Sequence, residues 1–385
     1  MPRPIARRLK GLVQSDIRRM TRECERLGGI NLGQGICDLP TPPLVRDGAI
    51  AAILARKSTY SFMEGIVELR RAIAQKLARE NGIQADFESE IVVTCGATGA
   101  YTAAIHALLD PGDGILLFEP YYGYHLNCAI VAGLEPQFLA LHAPDFALTE
   151  SALVAALRPN TRAIVVCTPG NPSGKMFSRA ELEILAKVAR EKDLIVITDE
   201  IYESIVYDGR PHVSPASVAD LRERTVSILG LSKTFSITGW RLGYAVARED
   251  WARAIALVND LFYICAPTPL QYGVAEGFRA PRSFFDELQA GYTKKRAMTC
   301  AALETAGMPP VVPQGAYYVL ADVSRLGFKT ARDASTALLE RAGVATIPGT
   351  SFFTGAEGER FVRVCFAKEE DVLAEACRRI AAFRA

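Results

Sequence analysis

The stretch TVSILGLSKTFSITGWRLGYAVA, residues 225–247, joins two apolar runs through a segment that carries two cations. TVSILG, at its start, and YAVA, at its end, have the apolar and β-branched character of buried strands. Between them, Lys233 and Arg241 stand among small and apolar residues. Because burying an unpaired ammonium is costly, a lysine in this setting needs a partner or a chemical role.

Upstream of this stretch, from about residue 90, short apolar runs alternate with helical patterns. The strand-like runs are EIVVT, GILLFE, AIVVCT and LIVITD, and the segments between or after them include GATGAYTAAIHALL, PYYGYHLNCAIVAG, RAELEILAKVAREK and EIYESI. This alternation predicts an α/β domain with a mostly parallel sheet and helices on both faces. Ligands of such sheets bind beyond the carboxyl ends of the strands, which singles out Gly96, Pro120, Asn171, Asp199 and Lys233.

The pattern changes after about residue 285. A long polar helix, FFDELQAGYTKKRAMTCAALETAG, is followed by strand-like GAYYVLAD, the helix ASTALLERAG, strand-like FVRVCFA and a final helix, EEDVLAEACRRIAAF. These elements predict a smaller α+β domain, and the turn-rich first 45 residues are expected to pack against it. We therefore predict a large cofactor-binding domain over residues 46–284 and a small domain formed by residues 1–45 and 285–385.

Composition argues for small-molecule chemistry. The 385 residues are 49% hydrophobic with a net charge of +1, which gives no general attraction to nucleic acid or anionic membranes. No apolar run reaches the roughly 18 to 20 residues of a membrane span, and the N-terminus lacks the apolar core of a secretory signal. We expect a cytoplasmic protein. Nine cysteines without a C-x-x-C pair and four scattered histidines predict neither disulfides nor a metal site.

Three motifs now combine: TPGNPSGK (Thr168–Lys175), DEIY (Asp199–Tyr202) and SKTFSITGWRLGY (residues 232–244). Together they resemble the class I and II aminotransferases of the fold-type I pyridoxal phosphate enzymes, a group that includes aspartate, aromatic and kynurenine-glutamine aminotransferases. The resemblance runs from LGQGICDLPTP through YSFMEGIVELRRAIA to FVRVCFA. It implies a fold-type I transferase that uses pyridoxal 5′-phosphate to move an amino group from an L-amino acid to a 2-oxo acid in a ping-pong cycle.

The resemblance also implies roles for residues around the cofactor ring. Lys233 forms a Schiff base with the aldehyde and, once displaced by substrate, carries the proton between the substrate Cα and the cofactor. Asp199 faces the pyridine nitrogen and keeps it protonated. Tyr202 and Asn171 hydrogen-bond the cofactor O3′, and Tyr122 stacks on the ring. Cis peptide bonds are expected at Asn171–Pro172 and Glu119–Pro120.

The phosphate is expected at the N-terminus of the helix that opens with CGATGAY, where backbone amides form an anion site. By resemblance its contacts come from Gly96, Ala97, Thr98, Ser232 and Arg241. Tyr60 matches a tyrosine that reaches the phosphate of the neighbouring subunit. This implies a homodimer with shared active sites.

On the substrate side, Arg363 matches the arginine that binds the α-carboxylate through two parallel hydrogen bonds, and Gly35 and Asn171 match residues beside the substrate. Cys37 and Leu39 stand where the family often has proline and phenylalanine, and we expect them to line the substrate entrance. The side chain that the pocket accepts is left open between a second carboxylate, an aromatic group and an amide.

Two alternatives to an aminotransferase remain. A C–S β-lyase would share Lys233 and Asp199, and would release ammonia and a 2-oxo acid without needing an amino acceptor. A cofactor-binding sensor domain of a transcription factor would need a DNA-binding surface, for which the net charge of +1 gives no support.

Overall fold

The computed structural model describes residues 6, 8, 9, 12 and 16–384. The α-helices are α1 (Asp16–Leu27), α2 (Pro43–Leu54), α3 (Val67–Lys76), α4 (Gly96–Leu108), α5 (Gly123–Ala132), α6 (Glu150–Ala156), α7 (Arg179–Glu191), α8 (Glu249–Tyr263), α9 (Thr268–Gly277), α10 (Arg282–Thr305), α11 (Ala331–Ala342) and α12 (Glu370–Ala382). The strands are β1 (Ile30–Asn31), β2 (Ile91–Cys95), β3 (Gly114–Glu119), β4 (Glu135–Ala140), β5 (Thr161–Cys167), β6 (Ile195–Asp199), β7 (Thr225–Gly230), β8 (Leu242–Val246), β9 (Pro310–Val311), β10 (Tyr318–Asp322), β11 (Val344–Ala345), β12 (Ile347–Pro348) and β13 (Phe361–Cys365).

Seven strands form the central sheet in the order β2-β8-β7-β6-β5-β3-β4. Strand β8 runs antiparallel to both its neighbours, and every other pair is parallel. The predicted mostly parallel sheet is therefore confirmed. The carboxyl ends of β2, β5, β6 and β7 lie at one edge, so the loops that follow these strands meet there.

Alternation along the buried strands explains why helices cover both faces. Leu116 and Ile164 pack with the apolar side of α7, whereas their neighbours Ile115 and Val165 pack with α4 and α8. Successive side chains of a strand point to opposite faces. A strand that is apolar at successive positions therefore packs against helices on both faces of the sheet.

A second sheet, in the order β12-β13-β10-β9, is antiparallel throughout. Helices α10, α11 and α12 contribute Leu303, Leu338 and Leu373 to a core that also contains Val319 and Val364 of this sheet. The N-terminal segment joins this region because β1 pairs in parallel with β11. These contacts agree with the expected packing of the chain ends, and the division into two domains stays a prediction.

The structure differs from the sequence-based expectations in three elements. EIYESI forms turns rather than a helix, β4 was not predicted, and α1 lies in the segment described as turn-rich. The predicted domain boundaries, at residues 45/46 and 284/285, fall inside α2 and α10. The cis bonds at Asn171–Pro172 and Glu119–Pro120 are as predicted. Across the described residues, no helix has both the length and the apolar character needed to cross a membrane.

Candidate active site

A cavity of about 400 Å³ lies at the carboxyl edge of the parallel sheet. Most of the residues proposed from the motifs line it, namely Gly35, Ala97, Thr98, Tyr122, Asn171, Asp199, Tyr202, Ser232, Lys233, Arg241 and Arg363. They lie at or after the ends of five strands of the central sheet, β2, β3, β5, β6 and β7, and come also from both ends of the chain. The topology therefore gathers residues that are up to 328 positions apart (363 minus 35) around one space.

Lys233 lies three residues beyond the end of β7 and opens into this cavity, partly buried. Its Nζ donates to the backbone oxygen of Gly35 at 3.0 Å and lies 5.5 Å from the centre of the Tyr317 ring. Removal from water lowers the pKa of its ammonium from 10.5 to about 8, against smaller opposing effects of acidic groups that include Asp199. The amine is therefore still mostly protonated at pH 7, but it loses its proton far more readily than an ordinary lysine.

Asp199 is the last residue of β6 and is buried. Its Oδ2 lies 3.0 Å from His125 Nε2, and its Oδ1 accepts from the Ile201 amide at 3.3 Å. The strand delivers the carboxylate to the floor of the cavity, and His125 fixes its orientation. His125 was not predicted from the sequence, although it lies on the first turn of α5, three residues after the N-cap residue Tyr122.

The N-terminus of α4 and Arg241 form the positive end of the cavity. Ala97 and Thr98, in the first turn, face the cavity beside Arg241, whose guanidinium donates to the Thr238 carbonyl at 3.0 Å. A Cβ on Gly96 would stand 2.5 Å from Arg241 Nη2, and Gly96 has a φ of +75°. Gly96 lies behind Arg241 rather than on the cavity lining, so it allows the guanidinium to approach the helix terminus.

Arg363, on β13, is only 1% exposed. Its Nη1 donates to Asn171 Oδ1 at 2.9 Å, its Nη2 donates to the Gly33 carbonyl at 2.6 Å, and the guanidinium stacks between the rings of Tyr318 and Phe352. Its Nε is buried without a hydrogen-bond partner among the described residues. No described carboxylate forms an ion pair with this buried guanidinium, which therefore has the charge and the donor needed for an anionic ligand.

Two tyrosines meet beside Gly35. The hydroxyls of Tyr202 and Tyr318 are 3.1 Å apart, so one donates to the other. A Cβ on Gly35 would come within 1.8 Å of the Tyr318 hydroxyl. The Tyr318 hydroxyl can therefore lie against the backbone of Gly35 only because this residue has no side chain. The Gly35 carbonyl accepts hydrogen bonds from Tyr317 and from Lys233, both at 3.0 Å. Tyr318 was not singled out from the sequence, where GAYYVLAD shows only a strand.

The remaining aromatic residues differ in position. Tyr122 lines the cavity and stacks on Tyr124, with ring centres 5.2 Å apart. Tyr124 also lines the cavity. Tyr60 is 76% exposed and lies outside this lining. Ser232 lines the cavity with its hydroxyl 3.4 Å from the Leu242 carbonyl.

One expectation about the substrate entrance is wrong. Cys37 is buried, with its Sγ 3.1 Å from the Ser236 hydroxyl and 3.2 Å from that of Tyr292. Leu39 packs against the core of the small sheet. Neither residue lines the cavity, because the chain turns away from it after Ile36.

The chain was compared with known proteins. The family model described as aminotransferase class I and II matches residues 28–380. Aromatic-amino-acid aminotransferase 2 of Thermococcus litoralis is 32% identical over 97% of this chain and 96% of its own length. Among solved structures, N-succinyldiaminopimelate aminotransferase of Mycobacterium tuberculosis has a TM-score of 0.95 and 33% identity, covering 98% of this chain and 99% of its own. YbdL of Escherichia coli, reported with a methionine aminotransferase function, has a TM-score of 0.95 and 31% identity, covering 99% and 100%.

Proposed function

Because this chain belongs to the class I and II aminotransferases and transfers an amino group from an L-amino acid to a 2-oxo acid, we propose that the cavity at the sheet edge is its cofactor and substrate site. The solved relatives confirm the predicted fold. The named relatives support amino transfer and give no support to the C–S β-lyase alternative.

The charges around the cavity support pyridoxal phosphate with a bound substrate. Lys233, Arg241 and Arg363 line the cavity, and none of them forms an ion pair with an acidic side chain in the part of the chain that the structure describes. Three cations without acidic partners suit two anions, a phosphate at the α4 terminus and a substrate carboxylate at Arg363. This arrangement is the observation that carries the proposal. When bound, pyridoxal phosphate supplies an aldehyde that reacts with amines and a ring that delocalises charge from the substrate Cα.

Each residue then has a defined task. Arg363 binds the substrate carboxylate, and Asn171, which accepts from its Nη1, fixes the guanidinium plane. The Lys233 amine would carry a proton between the substrate Cα and the cofactor, a role suited to a pKa of about 8. Asp199 would hold a proton on the pyridine nitrogen of the bound cofactor, with His125 holding the carboxylate. Tyr202 would donate to the cofactor O3′.

The remaining contacts complete the cofactor site. Ala97, Thr98 and Ser232 would contact the phosphate together with Arg241, which Gly96 allows to approach the helix. Tyr122 would lie against the ring, and Gly35 would lie beside the substrate.

A homodimer is supported by exposed apolar side chains. Leu54, Phe62 and Leu261 are 78%, 73% and 82% exposed, and Tyr60 is similarly open. Contiguous exposed apolar residues mark association surfaces, and Leu261 belongs to such a run at the end of α8, with Leu257, Phe262, Tyr263 and Ile264. We propose that a second copy covers them and that Tyr60 contacts the phosphate in the partner's site.

We also propose a cytoplasmic location. The nine cysteines, all within the described residues, form no disulfide, as is usual in a reducing compartment.

Reduction of the protein–cofactor complex with borohydride tests the site. After digestion, mass mapping should find the pyridoxyl group on Lys233 and not on Lys295. Lys295 is the matched control, because it is also buried, has a lowered pKa through desolvation and donates to a backbone carbonyl, that of Lys368. Label on Lys295, or equal label on both residues, would contradict the assignment.

A further inference from the structure

Tyr318 has no role in the contacts proposed above, although it touches two parts of the cavity. It is the first residue of β10, lines the cavity and is only 2% exposed. On the neighbouring strand β13, Arg363 pairs with Leu320. Because alternate residues of a strand share a face, Tyr318 is a diagonal neighbour of Arg363. The register of the small sheet thus places this phenol beside the cation proposed for the substrate carboxylate.

The ring of Tyr318 forms one wall of the Arg363 site. The guanidinium carbon lies 4.4 Å from the centre of this ring and 4.7 Å from the centre of the Phe352 ring. A cation over an aromatic face is attracted to the ring, and more strongly where water is excluded. The two rings therefore hold the plane of the guanidinium, on which paired hydrogen bonds to a carboxylate depend.

The hydroxyl of Tyr318 makes the second contact, 3.1 Å from the Tyr202 hydroxyl. A phenol has one proton to donate and lone pairs that accept. When Tyr202 gives its proton to the cofactor O3′, the proton between the two phenols must come from Tyr318. Accepting that bond makes Tyr202 a stronger donor, because successive hydrogen bonds polarise one another.

The position of Tyr318 depends on Gly35. A Cβ on Gly35 would lie 1.8 Å from the Tyr318 hydroxyl oxygen and 2.8 Å from its Cζ. The Gly35 carbonyl also accepts from Lys233 Nζ at 3.0 Å. The segment that holds the lysine amine therefore also holds the phenol. All these contacts are made within one chain, so they do not depend on how a second copy covers the cavity.

From these contacts we propose that Tyr318 is a positioning residue for amino transfer, with two separable tasks. Its hydroxyl donates to Tyr202 and strengthens the bond from that phenol to the cofactor. Its ring holds the Arg363 guanidinium in the plane that binds the carboxylate. The inference rests on the proposed function, because it takes Tyr202 and Arg363 as contacts of the cofactor and the substrate.

Tyr318→Phe tests the hydroxyl, because it keeps the ring. In protein loaded with pyridoxal phosphate, the pH midpoint of the visible absorption should rise by about half a unit, because a weaker donor stabilises the negative O3′ less and disfavours the deprotonated cofactor. In a Tyr202→Phe background, the same substitution should shift the midpoint no further. An unchanged midpoint in Tyr318→Phe, or an equal shift in both backgrounds, would refute the task of the hydroxyl.

Tyr318→Leu tests the ring. Calorimetry of the loaded protein with two unreactive carboxylates, succinate and 3-phenylpropanoate, should show at least about fivefold weaker binding, the loss expected for one cation–π contact out of water. Tyr318→Phe keeps that contact and should stay within about twofold of the parent protein. Equal losses in the two variants, or full affinity in Tyr318→Leu, would refute the task of the ring.

Tyr207 provides matched controls. It is fully buried, its ring lies 4.4 Å from the Arg296 guanidinium, and its hydroxyl donates to the Ala316 carbonyl at 2.6 Å, but it does not line the cavity. Tyr207→Phe and Tyr207→Leu should leave the pH midpoint and both affinities unchanged. Changes equal to those of the Tyr318 variants would reduce Tyr318 to a packing residue. A parent protein with no pH-dependent absorption and no affinity for either carboxylate would instead refute the proposed function.

Discussion

Lys233 should titrate near pH 8 in the cofactor-free protein. Its ammonium is withdrawn from water and its pKa falls to about 8 from 10.5, so at pH 7 roughly one amine in ten is neutral. A lysine at the ordinary value would be neutral in roughly one molecule in 3,000 at that pH. The structure therefore predicts an advantage of about 300-fold in neutral amine for Lys233.

The direction of the Lys233 pKa shift determines how its reactivity and the protein's stability change with pH. Because the folded protein favours the neutral amine, raising the pH toward 8 increases reactivity about tenfold per unit, and the rate then levels off above about pH 9. The lowered pKa also means that the folded state binds fewer protons than the unfolded state between about pH 8 and 10.5, so stability rises with pH through that window.

Competitive labelling of the cofactor-free protein with an acid anhydride, resolved by peptide mass, measures this profile. Lys187 is the internal control, because it is exposed and its pKa is raised by Glu150, so its rate should still climb at pH 10. A Lys233 rate that climbs in parallel with Lys187 through pH 10 would refute the reasoning about desolvation.

Three further outcomes are expected. Gly96→Ala should weaken pyridoxal phosphate binding at least about tenfold by displacing Arg241. Gly239→Ala is the control, because its Cβ would meet nothing within 4 Å, and it should leave the dissociation constant unchanged. Equal effects of the two substitutions would show that the close approach of Gly96 to Arg241 does not matter for binding. Asp199→Asn should slow the half-reaction by several powers of ten while cofactor stays bound, and a near-normal rate would leave the carboxylate a purely structural role. Leu261→Asp should convert the proposed dimer to monomer in sedimentation, and an intact dimer would place the interface elsewhere.

The central sheet was predictable because its strands are apolar on both faces. EIVVT, GILLFE, AIVVCT and LIVITD need no tertiary information to be recognised. Strand β4 was missed because its sequence EPQFLA contains a proline and buries only Gln137 fully at the sheet edge. Helix α1 was missed because DIRRMTRECERL is mostly charged and buries only Met20 and Cys24.

The candidate site was predictable where a residue directly follows a strand or belongs to a contiguous motif. Asp199 and Lys233 are of this kind. His125 contacts Asp199, 74 positions away, and Tyr318 contacts Tyr202, 116 positions away. No local sequence pattern predicts pairings at such separations. The path of the chain after Ile36, which turns Cys37 inward toward Tyr292, depends on tertiary packing in the same way.

The hydrogen bond from Arg363 to the Gly33 carbonyl joins residues 330 positions apart in the sequence, so it can form only late in biosynthesis. A growing chain can assemble the parallel sheet, Asp199 and Lys233 well before Arg363 leaves the ribosome, since domains fold as their segments emerge. Strand β1 must likewise wait for β11. Contacts between residues so far apart in the sequence form slowly during folding. During synthesis, the site that we propose for the substrate carboxylate is therefore completed after the sheet and its lysine are already in place.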